Sequence, residues 1–310
     1  MTIAGFNNDI NTLERAVKER VFYVKEEGLF VPPPRPREGH FEATLAPSID
    51  MLDSLLPRIA PLSRADFVST FRGPKRRAYE AAFQDLLRKG FTEKDAWIKV
   101  FVKYEKTDFT RKTDPVPRVI SPRSARYNIE VGRYLRPLEE RIFSSIAKLF
   151  GSPTVFKGMN SLTSGRTMHR KWSRFKHPVA VGADASRFDQ HCSAAALGVE
   201  HGVYLRCFPR RRHRRALARL LRMQLRNVCV GYTPDGRLRY VIEGCRMSGD
   251  MNTSLGNCVL MCLMFHAYAV ERGVEIELVN NGDDCVVIME QANSHASWRV
   301  LRVGSVRWGT

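Results

Sequence analysis

The sequence predicts an α+β fold. Most residues before Phe150 fall into helical spacing, the chain switches to strand and then helix from Pro178, and Glu275–Met289 reads as two strands around a tight turn. A chain of 310 residues, 44% hydrophobic and 26% charged, can bury a core as one large domain or as two.

In chain order, apolar spacing predicts a helix across Thr12–Tyr23, and Pro32-Pro33-Pro34-Arg35-Pro36 forces an extended polyproline-type connector. Arg77–Lys89 is helical, with Tyr79, Ala82, Phe83, Leu86 and Leu87 on one side. Lys94–Lys106 alternates like a strand, placing Val100 and Val102 on one face and Lys99, Phe101 and Lys103 on the other. Arg111–Arg126, rich in Pro, Arg and Ser, is expected to be an extended basic loop, and Arg133–Phe150 returns to helical spacing. Pro178–Asp184 alternates β-branched and small residues, and Ser193–Phe208 is helical. The arginine-dense Arg206–Arg226 puts Leu217, Leu220, Leu221 and Leu225 on one helix side; the other side is a solvated face or an RNA-facing one. A Pro234-Asp235-Gly236 turn makes Val230–Glu243 a hairpin, and Asn252–Glu271 fits one long helix. There is no internal repeat.

Charge narrows the partners. Fifty Lys and Arg against 32 Asp and Glu give a net charge of +18, a field that attracts RNA, DNA or an anionic membrane surface; a basic structural protein is the alternative. Seven cysteines, odd in number and without a C-x-x-C pair, suit a reduced, cytosolic chain better than a disulfide framework. No signal-peptide pattern opens the sequence. The longest apolar stretch, Cys258–Val270, is shorter than a bilayer requires and contains His266. Membrane attachment is therefore expected only through a partner or surface charge.

Three segments carry chemistry. Asn281-Gly282-Asp283-Asp284 lies between β-branched runs, with Asn281-Gly282 expected as the two-residue turn and both acids after it. Adjacent carboxylates repel unless a cation joins them, and hard oxygen ligands suit Mg²⁺; alone, the segment also reads as a polar surface turn. Asp184 closes a strand and Asp189 follows five residues later, so a turn after Asp184 is needed for both to line one cleft. Asp184 beside Asp283 would supply the paired ligands of a two-metal centre, with ions about 4 Å apart. Between them, Ser248-Gly249 leads into a helix with Thr253, Gly256 and Asn257 on one face. That face offers two hydrogen-bonding side chains and a gap for a backbone or ribose, or it is an ordinary core helix. His191, beside Asp189, reads as structural.

The order of these segments, Asp-x4-Asp, then Ser-Gly-x3-Thr-x3-Asn, then Gly-Asp-Asp, resembles motifs A, B and C of viral RNA-dependent RNA polymerases. DASRFDQH, GCRMSGDMNTSLGNC and NNGDDCVVIMEQAN are similar to the replicases of tombusvirus-like and carmovirus-like plant RNA viruses. FVKYEKTDFTRKTDPVPRVISPRSARYNIEVGRYLRPLE resembles that family's basic finger motif F, and Val155–Asn160 its template-strand motif G.

The resemblance implies a right-handed polymerase fold containing fingers and a partial palm, with the thumb missing. Residues 1–177 would be an N-terminal extension and fingers, 178–293 a palm core, and 294–310 an atypical tail, truncated or out of frame. Asp184 and Asp283 would hold Mg²⁺, or Mn²⁺, with Asp284 a weaker ligand. Asp189 and Asn257, with Thr253, would read the ribose 2′-hydroxyl, and Ser248 and Gly249 would form a mobile supporting loop. Lys103 and Arg118, with Lys106 and Arg123, would hold the triphosphate and template path, while Lys157 and Gly158 would touch template RNA. Template RNA and ribonucleoside triphosphates are the implied partners, with a membrane-anchored accessory replicase protein at membrane-associated complexes in host cytoplasm. A chain without its thumb is expected to be weak or inactive alone. A non-catalytic basic RNA-binding fragment is the alternative; a two-metal nuclease or reverse transcriptase would not need the Asp189–Asn257 pair.

Overall fold

The strand Pro178–Asp184 forms as its alternation predicts and lies at one edge of a three-stranded antiparallel sheet. Its neighbour is Asp284–Glu290, which pairs in turn with Ile276–Asn281. The protein is seen in a computed structural model that describes residues 3–111, 114–185 and 187–298; the side chains of Ile3, Asp184 and 295–298 also lie outside the described residues. Most of the expected atypical tail is therefore outside them, although its start continues a helix, Gln291–Trp298.

The hairpin turn falls one residue later than the sequence suggests. Asn281 pairs with Asp284, so Gly282 and Asp283 are the central residues. Gly282 has φ +96°, whereas neither Asn281 nor Asp283 has positive φ. This arrangement suits a hairpin with glycine at its first central position, which needs only one left-handed residue. The Asn280 side chain fixes the loop: its amide donates to the Gly282 carbonyl at 2.6 Å and its oxygen accepts from the Gly282 N–H at 3.2 Å. Asp283 consequently sits inside the turn rather than after it.

The hairpin's outer edge is covered. The Phe156 N–H donates to the Asn280 carbonyl, and the Asn280 N–H to the Thr154 carbonyl, both at 2.9 Å. The sheet packs against the helix Thr253–Arg272, whose residues from Leu255 to Tyr268 are all buried. At 20 residues this helix is long and apolar enough to cross a membrane by length and composition, unlike the shorter stretch read from sequence; here 78% of its apolar window is buried within the fold. Its one histidine, His266, is satisfied by the Ser48 hydroxyl at 2.8 Å.

A second sheet orders its strands as Val119–Ile120, Ile98–Val102, Arg226–Thr233 and Gly236–Glu243. Ile98–Val102 alternates as expected: Ile98 and Val100 are buried, whereas Lys99 and Phe101 are exposed. The buried face packs on Leu13, Val17 and Val21 of the N-terminal helical segment. The helix predicted across Arg133–Phe150 is instead the end of Ala125–Leu135 followed by Glu139–Leu149. Pro137 lies at the junction; it lacks the N–H that an unbroken helix would use. The seven cysteines are free and buried.

A buried ion cluster ties the helix Ser161–Trp172 to the hairpin. Glu277, 1% exposed, accepts from Lys171, which is 2% exposed, and from Arg174 and Ser152. Burial works against the charged form of Glu277, but its hydrogen bonds with Lys171, Ser152 and Arg174 outweigh burial and hold the carboxyl below its ordinary range. Its contribution to stability is therefore present above that range and lost as pH falls through the folded-state value. Glu277→Gln should cost about 3–5 kcal/mol at neutral pH, because it strands a buried ammonium. Urea unfolding measures this loss, and the pair Lys171→Met/Glu277→Leu should recover much of it.

Candidate active site

Asp283 projects from the hairpin turn onto a cavity of about 550 Å³, which Asp189, Ser248, Arg20, Arg118 and Arg187 also line. Backbone register brings further acids to the same sheet end, with Asp284 directly opposite Asp184. Asp284 is exposed and Asp283 half-buried; the predicted Asp184 carboxylate lies outside the described residues. Among the described residues no three His, Cys, Asp or Glu side chains form a metal cluster. The chemistry of the donors nonetheless fits a hard divalent cation, because hydrated, oxygen-rich sites with one or two carboxylates are those Mg²⁺ occupies.

The chain turns after Asp184, as the sequence requires, and enters the short helix Phe188–His191 through Arg187 at φ +53°. Asp189 thereby faces the loop before the long helix. One of its carboxylate oxygens accepts from the Ser248 hydroxyl, and the other from the Asn257 amide at 3.5 Å. Burial pushes the Asp189 carboxyl above its ordinary range; Ser248, Arg246 and Asn257 oppose that shift, while Asp283 adds to it. Asn257 Oδ1 is buried without a hydrogen-bond partner among the described residues. A buried acceptor in that state costs free energy until a donor arrives, and a hydroxyl is such a donor.

The Ser248–Gly249 loop is anchored. The Ser121 N–H donates to the Ser248 carbonyl at 2.9 Å. Gly249 has φ +135°, and a Cβ there would lie 2.9 Å from Pro122 Cα, so glycine serves both backbone shape and close approach. Thr253 is turned inward: its hydroxyl donates to the Met247 carbonyl at 3.1 Å, securing the loop instead of presenting its proton to a ribose. The expected gap at Gly256 is occupied, because a Cβ there would be 2.3 Å from the Glu200 carboxylate.

Arg123 does not have the RNA-facing position predicted for it. It is 5% exposed, and its guanidinium binds Asp250, Asn227 and the carbonyls of Ala96 and Met223. With every donor direction taken inward, it fastens Asp250 to the second sheet. Lys103 and Arg118 share Glu105, at 2.9 and 3.5 Å respectively. Lys106 is exposed. Lys157 reaches the Gly282–Asp283 turn, since a Cβ on Gly282 would lie 3.5 Å from its ammonium; the neighbouring Gly158 is exposed at φ +82°.

Residue spacing did not single out Arg20, Arg187, Arg246 or Glu200. Burial, then Arg187 and Arg118, lower the affinity of Arg20 for its proton, which marks three guanidiniums crowded around one wall. Arg20 Nε has no hydrogen-bond partner among the described residues. Deeper in, Arg246 donates its guanidinium to Glu200 and its backbone N–H to the Asp189 carbonyl at 2.8 Å. Glu200 also accepts from Asn252 at 2.6 Å and Tyr204 at 2.8 Å. The GCRMSGDMNTSLGNC segment was the available signal for Arg246, and DASRFDQH for Arg187. Glu200 carried none, because only packing brings its helix under Gly256.

A carboxylate turn, a hydrogen-bonded Asp189–Asn257 pair and a wall of arginines thus meet around one cavity. The chain belongs to the viral RNA dependent RNA polymerase family, whose sequence model matches residues 1–303. It is 56% identical over 297 residues to the RNA-directed RNA polymerase of Oat chlorotic stunt virus, covering 94% of this chain and 40% of that protein. The RNA-directed RNA polymerase of Tobacco necrosis virus (strain A) is 45% identical over 293 residues, covering 94% and 40% respectively. That of Carnation mottle virus is 43% identical over 307 residues, covering 98% and 39%. The chain thus spans about 40% of the length of these relatives.

Proposed function

We propose that this chain supplies the fingers, 1–177, and palm core, 178–293, of a viral RNA-directed RNA polymerase that performs template-directed nucleotidyl transfer. The observation carrying this reading is the Asp189–Asn257 pair: Asp189 lines the Asp283 cavity, and the buried Asn257 Oδ1 behind it has no hydrogen-bond partner among the described residues. A ribose 2′-hydroxyl can donate to Asn257 Oδ1 while Asp189, held by Ser248, fixes the amide. Arg118 and Lys103 receive the triphosphate, and the Arg20–Arg187 wall adds charge where its oxygens lie. Asp184 and Asp283, with Asp284 beside them, hold Mg²⁺ or Mn²⁺, which supplies the charge stabilisation phosphoryl transfer requires. Lys157 and Gly158 sit where a template strand passes the turn, with Lys106 at the basic entrance. Thumb contacts, a membrane-anchored accessory replicase protein and assembly at host cytoplasmic membranes complete the proposal.

The test is metal-dependent binding of ribonucleoside triphosphate against its 2′-deoxy analogue by the purified chain, beside template-directed incorporation. Binding should favour the ribonucleotide, with weak incorporation. Salt-sensitive RNA binding without metal-dependent nucleotide binding would leave only a non-catalytic RNA-binding fragment. Asp189→Asn should reduce the ribose preference roughly 5- to 10-fold, the scale of one net hydrogen bond of about 1 kcal/mol. Because the folded-state carboxyl is raised, its charged form costs stability as pH climbs through that value. The substitution should therefore leave thermal stability equal or higher at neutral pH, and a fall would contradict this assignment.

Glu105 holds the two predicted triphosphate cations to each other. Glu105→Gln should tighten nucleotide binding about 2- to 5-fold at low salt, within the range of exposed ion pairs. Titration with the triphosphate decides it; weaker binding would mean that Glu105 orients the cations instead of competing for them.

A further inference from the structure

The outward face of the second sheet lies on the side opposite Leu13, Val17 and Val21, and Lys99, Phe101, Tyr232, Arg237 and Arg239 are not among the residues lining the cavity. Lys99 pairs in register with Val230, which pairs with Arg239; Tyr232 pairs with Arg237. Phe101 and Tyr232 each follow a partner of the Lys99–Val230 pair by two residues, so strand alternation sends both to this same face. Tyr232 is 62% and Phe101 44% exposed. Trp97 precedes the first strand, and the Arg239 guanidinium lies 5.3 Å from its ring centroid. Among the described residues, Lys99, Arg237 and Arg239 form no ion pair with a carboxylate. Aromatic rings and cations therefore share this face across adjoining strands, and the acid that the last strand contributes, Glu243, lies at the far end opposite Arg226.

We propose that this face binds single-stranded RNA, with bases stacking on Tyr232, Phe101 and Trp97 and phosphates meeting Lys99, Arg237 and Arg239. Charge complementarity selects the occupant. A protein partner would gain from the exposed rings but needs acidic groups to match three free cations, whereas RNA brings π-faces and phosphates at regular intervals. Stacking on aromatic side chains tolerates any base, so the surface is suited to guiding a strand without reading its sequence. The inference does not depend on the catalytic assignment.

Ultraviolet cross-linking of the full chain to a single-stranded RNA of roughly 12 nucleotides carrying 4-thiouridine tests it directly. Cross-links are expected on peptides containing Phe101 and Tyr232. Phe101→Ala and Tyr232→Ala should each weaken RNA binding about 5-fold or more, with unchanged circular dichroism and thermal midpoint. Arg237→Gln with Arg239→Gln should reduce the slope of affinity against salt by up to about two charges. Cross-links confined to cavity peptides, with affinity unaltered by these substitutions, would overturn the proposal. So would self-association in sedimentation that Tyr232→Ala abolishes while RNA affinity stays constant, since the face would then join copies of the chain.

Discussion

Asp283→Asn is expected to abolish metal-dependent nucleotide binding and to lower any incorporation by about 100-fold or more, while leaving the fold intact. The substitution keeps the side chain's shape inside the Gly282–Asp283 turn, where hydrogen bonds between the Asn280 side chain and the Gly282 backbone set the conformation independently of the carboxylate. What it removes is charge. A ligating carboxylate contributes several kcal/mol to a metal-assisted transition state, and each 1.4 kcal/mol, roughly, is tenfold in rate. Stability should move the other way or not at all, because Asp283 helps raise the buried Asp189 carboxyl and relief of that repulsion favours the folded state. Calorimetric titration with Mn²⁺ and ribonucleoside triphosphate, beside a thermal melt, separates the two effects. Unchanged metal-dependent binding would remove Asp283 from the metal site.

The sequence showed more of this site than of what supports it. Carboxylate positions follow from strand alternation and turn chemistry, which are local: Pro178–Asp184 and the hairpin were legible nearly to the residue. The slip of one residue at the turn arose because Asn-Gly and Gly-Asp both suit two-residue hairpins, and only strand register chooses between them. Arg123 was misjudged for a different reason. A guanidinium in a Pro- and Arg-rich stretch looks exposed, and nothing local indicates that Asp250, more than a hundred residues away, will bury it. Thr253 and Gly256 share their helical face with Asn257, as spacing required, yet what meets that face depends on long-range packing. Asp189 and Asn257 were singled out because both lie in recognisable motifs; Glu200 lies in none.

Glu200 is where the fold and the proposed nucleotide site meet. It is fully buried, and burial opposes its charge, but Arg246 together with Asn252 holds the carboxyl below its ordinary range. Glu200→Gln preserves shape yet leaves Arg246, 3% exposed, without a counter-charge. The expected loss is about 3–5 kcal/mol, a large share of the 5–15 kcal/mol or so by which domains are stable. Gly256→Ala should be destabilising at the same place, because its methyl would meet the Glu200 carboxylate before any backbone could yield. Stability alone would not show that the pair serves the site. Replacing both partners, Glu200→Leu with Arg246→Met, is expected to restore much of the stability, since an apolar pair of similar volume avoids burying charge. Nucleotide discrimination should remain impaired, because Arg246 is among the groups that keep the Asp189 carboxyl from rising further. Denaturant midpoints paired with the ribonucleotide-to-deoxyribonucleotide binding ratio read both quantities from the same three proteins. Recovery of stability and discrimination together would make Glu200–Arg246 a packing element only; recovery of stability alone makes the buried ion pair the electrostatic support of the ribose-sensing carboxylate.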